Sequence, residues 1–351
     1  MSSIMLSNEV TETLNNRSIP NIDKYLYLRQ IIYKNTESEA NQLVDNLPLD
    51  SEDDELAALM ILLKIEFILE FRELDIYEVD SLNKMVLLSS AFPKGPFNVQ
   101  NNPTRQYIRV KYNDLYNDFQ YLFNPTVTIF RFMELVNKKL TTLSNIPDTE
   151  DDNVIDLAVD LYLKVVDYCF LAGSDFRKKN ILKFLDETLG ISQATSVDST
   201  IANRFNKKVD DSIRGIFTLL NEEKFILFTQ YETFLTNSKA PIVKKIAKTN
   251  SSLLVSNFLE NNISLLPKYY MNIHLDKITQ LFIIPTDLDI EGLVSQMIIN
   301  GKLPPGTCID QMEQTIIFGE FQPEYNNFDT HVQEVSEMVD EIANLIHNTN
   351  I

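Results

Sequence analysis

The chain has 351 residues, of which 44% are hydrophobic, with a formal net charge of −19, 8 glycines and 2 cysteines. That length suits two or three packed units with a sizeable core, and so few glycines argue against a turn-rich all-β protein. The summed acidic field repels phosphate backbones and anionic membrane surfaces, so nucleic acid and membrane are not expected partners, whereas basic protein surfaces are.

From Met1 to Val10 there is neither a basic n-region nor an apolar h-region, and no secretory signal is expected. The most apolar run, Leu56 to Leu63, is followed by Lys64, Glu66 and Glu70, and it is too short and too interrupted to span a bilayer. A helix is predicted over Glu55 to Leu74, behind the acidic block Glu52 to Glu55, where negative charge favours a helix N-terminus. Ser89 to Pro103 contains Pro93, Gly95 and Pro96 and reads as a connection.

A second acidic block, Asp148 to Asp152, follows Pro147 and opens another helix. Val154, Leu157, Leu161, Val165, Tyr168 and Ala172 recur there every three or four residues, which sets one stripe against a neighbour. Gly173 ends the pattern, and Ile181 to Leu189 forms a short helix stopped by Gly190. Ile191 to Asn203 reads as a polar linker, and helical patterns resume over Val209 to Leu220 and Glu222 to Leu235. Successive helices without strands imply a helical stack of the solenoid type, with no clean repeat period. Residues 1–150 form an expected N-terminal helical-repeat region and 151–250 a second helical region.

The last third changes character. Short helices are predicted over Leu275 to Phe282 and Asp287 to Asn300, the second stopped by Gly301. Thr307 to Met312 and Thr315 to Gly319 read as a hairpin turning at Glu313 and Gln314. Helix, turn, helix and a two-stranded wing is the order of a winged helix, assigned to residues 251–322. Pro323 then opens one long helix to about His347, so 323–351 is a separate terminal segment.

Each common chemistry has minimum residue requirements that are missing here. His274, His331 and His347 form no zinc pattern, and His274 reads as a helix-start or surface residue. There is no phosphate-cradling GxxxxGK[ST], no GxGxxG and no GxSxG elbow. Neither Cys169 nor Cys308 has a catalytic signature. Both read as reduced thiols, which implies the cytoplasm or nucleus. With 50 acidic residues, carboxylate pairs read as solvated faces. No catalytic, cofactor-binding or metal-ligating residue is assigned, and a non-enzyme is expected.

Charge decides how the winged helix is used. Asp287, Asp289 and Glu291 stand in the first turns of its second helix, with no base before Lys302, so it reads as an adaptor and not as a DNA reader. In the wing, Ile309, Ile316 and Phe318 alternate with polar residues and mark a partner-binding strand pair with exposed edges. In the terminal helix, Phe328, Val332, Val335, Val339, Ile342 and Ile346 are spaced as an a/d seam and are assigned to a helical bundle with other chains.

Several tracts carry a family resemblance: Tyr270 to Ile273, Leu281, Ile284 with Pro285, Ser295 to Ile298, Gly301, and Ile309 to Gln311. Together with the helical-repeat, winged-helix and terminal-helix plan, they resemble the PCI-domain subunits of the proteasome lid, the COP9 signalosome and a translation initiation factor. The Ser-Gln-Met-Ile and Ile-Asp-Gln pieces are similar to the signalosome branch in particular. Leu163 to Asp186 is a weaker echo, and Pro304-Pro305 is a departure, two residues longer than the family pattern. The resemblance implies that 151–250 is the helical part of a PCI domain. It further implies a non-catalytic scaffold in a complex that removes NEDD8 from cullins. The implied partners are other PCI-domain subunits and metalloprotease-fold subunits, with cullin-based ubiquitin ligases touched indirectly, and the zinc isopeptidase lies on a different subunit. A proteasome-lid subunit and, from another class, a winged-helix nucleic-acid binder are the alternatives.

Overall fold

A computed structural model of the chain describes residues 8–49, 53–72, 102–122, 132–146, 150–192, 197, 199–238, 243, 246–248, 251–284 and 288–319. The chain divides into two compact units, Met1–Phe258 and Leu259–Ile351. It is mainly α, as its composition implies. The first unit runs α1 (Asn8–Asn15), α2 (Asn21–Lys34), α3 (Glu37–Asp45), α4 (Asp54–Phe71), α5 (Pro103–Leu122) and α6 (Phe132–Ser144). It continues with α7 (Asp152–Leu171), α8 (Phe176–Leu189), α9 (Thr200–Lys208), α10 (Asp211–Asn221) and α11 (Phe228–Asn237). Helix α12 (Ser251–Ile263) contains the division between the units.

Packing follows chain order. Helix α4 lies against α2 and α5, α5 against α6 and α7, α7 against α6 and α9, and α8 against α9 and α10. Such sequential contacts are the pattern of stacked helical repeats. Helix α4 has no broad polar face because most of its surface is enclosed: Leu59, Met60, Leu62, Leu63 and Leu69 are fully buried. Among the described residues, no helix is long and apolar enough to cross a membrane.

The acidic blocks end in caps. The Asp53 carboxylate accepts the amides of Glu55 (3.0 Å) and Leu56 (3.3 Å) at the start of α4. Asp151 accepts those of Asn153 (3.0 Å) and Val154 (3.1 Å) at the start of α7. Each satisfies amide donors that have no partner inside the helix. Gly190, with φ 62°, closes α8 in the left-handed conformation expected of a C-terminal glycine.

Three expectations change. Pro103 does not end a connection but begins α5, where its missing N–H costs nothing. The predicted linker Ile191 to Asn203 contains the first turn of α9, because Ala202 and Phe205 are buried where α9 packs on α7. The segment Glu222 to Leu235 is not one helix: Glu223 takes φ 54°, which breaks the ladder, and α11 starts at Phe228.

The carboxylates also differ from a solvated face. Glu66, Asp114, Asp118 and Asp167 are buried. Glu66 on α4 accepts from Tyr25 Oη (3.0 Å) and pairs with Arg29 (3.0 Å) and Lys111 (2.6 Å). One layer on, Lys139 contacts both Asp114 and Asp118, Lys164 lies 2.7 Å and 3.1 Å from the same two carboxylates, and Tyr168 Oη donates to Asp118 at 3.0 Å. A buried charge is tolerated when it is paired and hydrogen-bonded, as Glu66, Asp114 and Asp118 are, whereas Asp167 accepts a hydrogen bond from Ser238.

In the second unit, a 3₁₀ turn (Leu266–Lys268) precedes β1 (Asn272–His274), α13 (Leu275–Phe282), α14 (Ile290–Ile299), β2 (Cys308–Asp310) and β3 (Thr315–Ile317). The strands form one antiparallel sheet in the order β1-β3-β2. The expected two-stranded wing is thus two strands of a three-stranded sheet, completed by a strand of only three residues just before α13.

Candidate functional site

The candidate surface is this small sheet and the helix behind it. Its register pairs Asn272, Ile317 and Cys308 in one row, Ile273, Ile316 and Ile309 in the next, and His274, Thr315 and Asp310 in the third. Because side chains alternate across a strand, the middle row faces inward and the outer two face away. Burial follows that rule: Ile316 and Ile273 are buried and Ile309 half-buried, while Asn272, His274, Cys308 and Ile317 are exposed.

Of the residues assigned to the wing, Ile316 is fully buried and Phe318, just past β3, is 8% exposed. Both belong to the unit's own core, alongside the buried Leu275, Ile278, Phe282, Val294 and Met297. The surface a partner can reach is therefore backbone and outer-row side chains. Strand β3 is central and paired on both sides. Among the described residues β2 pairs only with β3, so its other edge faces away from the sheet. Tyr269, Met271, Met312 and Ile317 add exposed apolar side chains to this unit. The seam residues Phe328, Val332, Val335, Val339, Ile342 and Ile346 lie outside the described residues.

Two hydrogen bonds and one glycine hold the sheet's end. The Phe318 amide donates to the Met271 carbonyl (2.9 Å), and the Gly319 amide to Thr307 Oγ1 (3.1 Å). A Cβ on Gly319 would overlap the Pro305 carbonyl oxygen, so only glycine fits there.

Helix α14 occupies the place of a reading helix and carries no base. Asp289 caps it, its carboxylate accepting the Gly292 amide (2.8 Å). Glu291 Oε1 accepts from Gln311 Nε2 (2.7 Å), which ties the acidic first turn to the β2–β3 turn. Lys302, the first base after the helix, pairs with Glu260 at 2.5 Å. A phosphate approaching this surface meets carboxylates.

His274 caps α13, its Nδ1 accepting the Asp276 amide (3.3 Å), which places it at a helix start. Among the described residues, no group of His, Cys, Asp and Glu is arranged to hold a metal ion. Cys169 is buried, and burial pushes its thiol up to about 12, so it is a structural and unreactive group. The exposed Cys308 opens β2. Sequence reasoning missed β1, whose one apolar residue, Ile273, gives too short a pattern to read. It also missed the buried charges of the first unit, which no linear signal separates from a solvated face.

The model of the PCI domain matches residues 230–320 of the chain. No curated protein matches it. PCI domains are carried by generally non-catalytic scaffold subunits and mediate their assembly with other PCI and metalloprotease-fold subunits.

Proposed function

We propose that the chain is a non-catalytic scaffold subunit of a COP9 signalosome-like complex, the assembly that removes NEDD8 from cullins, in the position of its subunit 4. The observation that carries the scaffold reading is a PCI domain at residues 230–320. Its second helix presents carboxylates where a nucleic-acid reader needs bases. The signalosome assignment within that class is supported by the similarity of Ser295 to Ile298 and of Ile309 to Gln311 to that branch.

Assembly on this reading uses two surfaces. The edge of β2 that has no partner among the described residues extends a sheet shared with a neighbouring PCI subunit, through backbone hydrogen bonds that do not require Ile316 or Phe318 to leave the core. The seam Phe328 to Ile346 enters a helical bundle formed with other subunits. Cullins are reached through the complex, and residence is in the cytoplasm and nucleus.

Affinity purification of the tagged full chain with mass spectrometry of its companions tests the reading. Signalosome subunits are expected, together with accumulation of NEDD8-modified cullins when the chain is lost. Proteasome ATPases in their place would assign it to the proteasome lid. Val339→Asp is expected to release the companions while leaving the chain folded, and an unchanged profile would remove the seam from the interface.

A further inference from the structure

Helix α8 carries a second surface, in the first unit and independent of the sheet. Its inner face is used within the fold: Lys178, Leu182, Leu185 and Leu189 are buried. The opposite face exposes Phe176 by 81% and Phe184 by 47%. Residues i, i+4 and i+8 form one ridge of a helix, so Phe176, Asn180 and Phe184 stand in a row about 12 Å long. Asn180 is exposed and much smaller than its ridge neighbours. The ridge is therefore large, small, large, with a notch at its centre that the ridge of another helix can enter.

Charge singles out the same face. Arg177, Lys178, Lys179 and Lys183 place four bases within seven residues, with no acid among those seven, in a chain of net charge −19. Lys178 is turned inward, donating to the Ala172 carbonyl (3.0 Å). The other three flank the aromatic ridge with side chains 40%, 62% and 74% exposed. The Arg177 guanidinium sits 5.7 Å from the Phe176 ring centroid. Among their internal partners are Asp175 (2.7 Å), Glu223 (2.8 Å) and Glu187 (3.9 Å), and Glu134 also acts on Arg177. The Lys183–Glu187 pair is solvent-exposed on both sides, weak and readily exchanged, whereas Asp175 and Glu223 are more enclosed. Single exposed apolar residues are ordinary, but two phenylalanines on one basic ridge form an anchor of the type that buries on association.

We propose that this face of α8 docks an acidic amphipathic helix of a partner protein. The partner's apolar ridge crosses α8 at the Asn180 notch between Phe176 and Phe184, and its carboxylates take over Lys179 and Lys183. The rest of the chain repels an acidic helix, so the encounter is steered to this patch and weakens with salt.

The test is photo-crosslinking in cells from p-benzoylphenylalanine at position 184 of the full chain, with position 232 on α11 as the control. The expected adduct is a segment of another protein with apolar residues at i, i+3 and i+4 and a net negative charge. Phe176→Ser and the pair Lys179→Glu/Lys183→Glu should each lower its yield at least fivefold without changing the thermal midpoint. If a variant unfolds, raising salt from about 50 mM to about 500 mM with the parent chain in extracts supplies the same readout, with an equal loss expected. A yield no higher than at position 232 overturns the proposal. So does an adduct to residues 323–351 of this chain or a second copy, to a basic segment, or to nucleic acid or lipid, and so does a yield indifferent to charge reversal and salt.

Discussion

Lys111 Nζ lies 2.6 Å from Glu66 Oε1, and both side chains are buried between α4 and α5. Burial by itself would raise the Glu66 carboxyl, but Lys111 and Arg29 outweigh it and hold the group down to about 2. Its folded value is below its ordinary 4.5. Its stabilising contribution is therefore present above about pH 4.5 and is lost as pH falls towards 2.

Removing Lys111 leaves the buried Glu66 under-compensated, with Arg29 and Tyr25 as its remaining partners. Lys111→Met is expected to cost about 3–5 kcal/mol, read as a fall in the urea midpoint at pH 7. Lys111→Met combined with Glu66→Leu should cost clearly less, because no uncompensated charge remains and Arg29, partly exposed, can rehydrate. Equal losses for the single and double variants would show that the pair is not a buried unit.

Asp167 on α7 behaves in the opposite sense. Burial pushes its carboxyl from 3.8 up to about 7, Ser238 donates to one oxygen at 3.2 Å, and the other oxygen has no hydrogen-bond partner among the described residues. A carboxyl raised in the folded state favours folding when protonated, so its contribution is fully present below about pH 4 and fades as pH rises to about 7. Asp167→Asn should flatten this part of the stability profile. At pH 8 it should exceed the parent by roughly 1–3 kcal/mol, measured by urea unfolding across pH 5 to 8. A profile unchanged by the substitution would refute the assignment.

Two glycines predict opposite signs for the same substitution. Gly319→Ala drives a methyl into the Pro305 carbonyl and should destabilise the second unit by about 2–4 kcal/mol, with amide shifts spreading from Thr307 and Phe318. Gly215, inside α10, has nothing within 4 Å of an added Cβ. Gly215→Ala should stabilise by about 0.5–1 kcal/mol through helix propensity. Thermal unfolding of the two variants checks both.

The surface of α14 predicts indifference to duplex DNA. Fluorescence anisotropy of a labelled duplex should show no salt-dependent shift at low micromolar protein, since each phosphate contact needs a cation and this helix supplies none. A shift that falls steeply with salt would bring the nucleic-acid reading back.

Much of the helical plan was legible in the chain. The stripe from Val154 to Ala172 has the helical period and enough length to average out exceptions, and α7 spans Asp152–Leu171. Gly190 and the acids before α4 and α7 marked ends because capping is local chemistry, settled within a few residues. The helix Leu275–Phe282 and the two wing strands were legible for the same reason. The break at Glu223 was not, since a glutamate in a left-handed conformation leaves no mark in a pattern of apolar residues.

Sequence alone determined that the chain is a helical acidic protein with a winged-helix pattern in its last third, because periodicity, caps and net charge are properties of neighbours or sums along the chain. Only the tertiary structure decided which charges are buried. Glu66 and Lys183 read alike in a sequence, yet one is enclosed by α2 and α5 and the other is in solvent. It also decided that β3 is central and β2 an edge, since strand order follows from pairing with Asn272–His274, some forty residues away in the chain. Such pairings are set by which surfaces meet across long separations, where the free energy of burial and pairing resides and where no local pattern reaches.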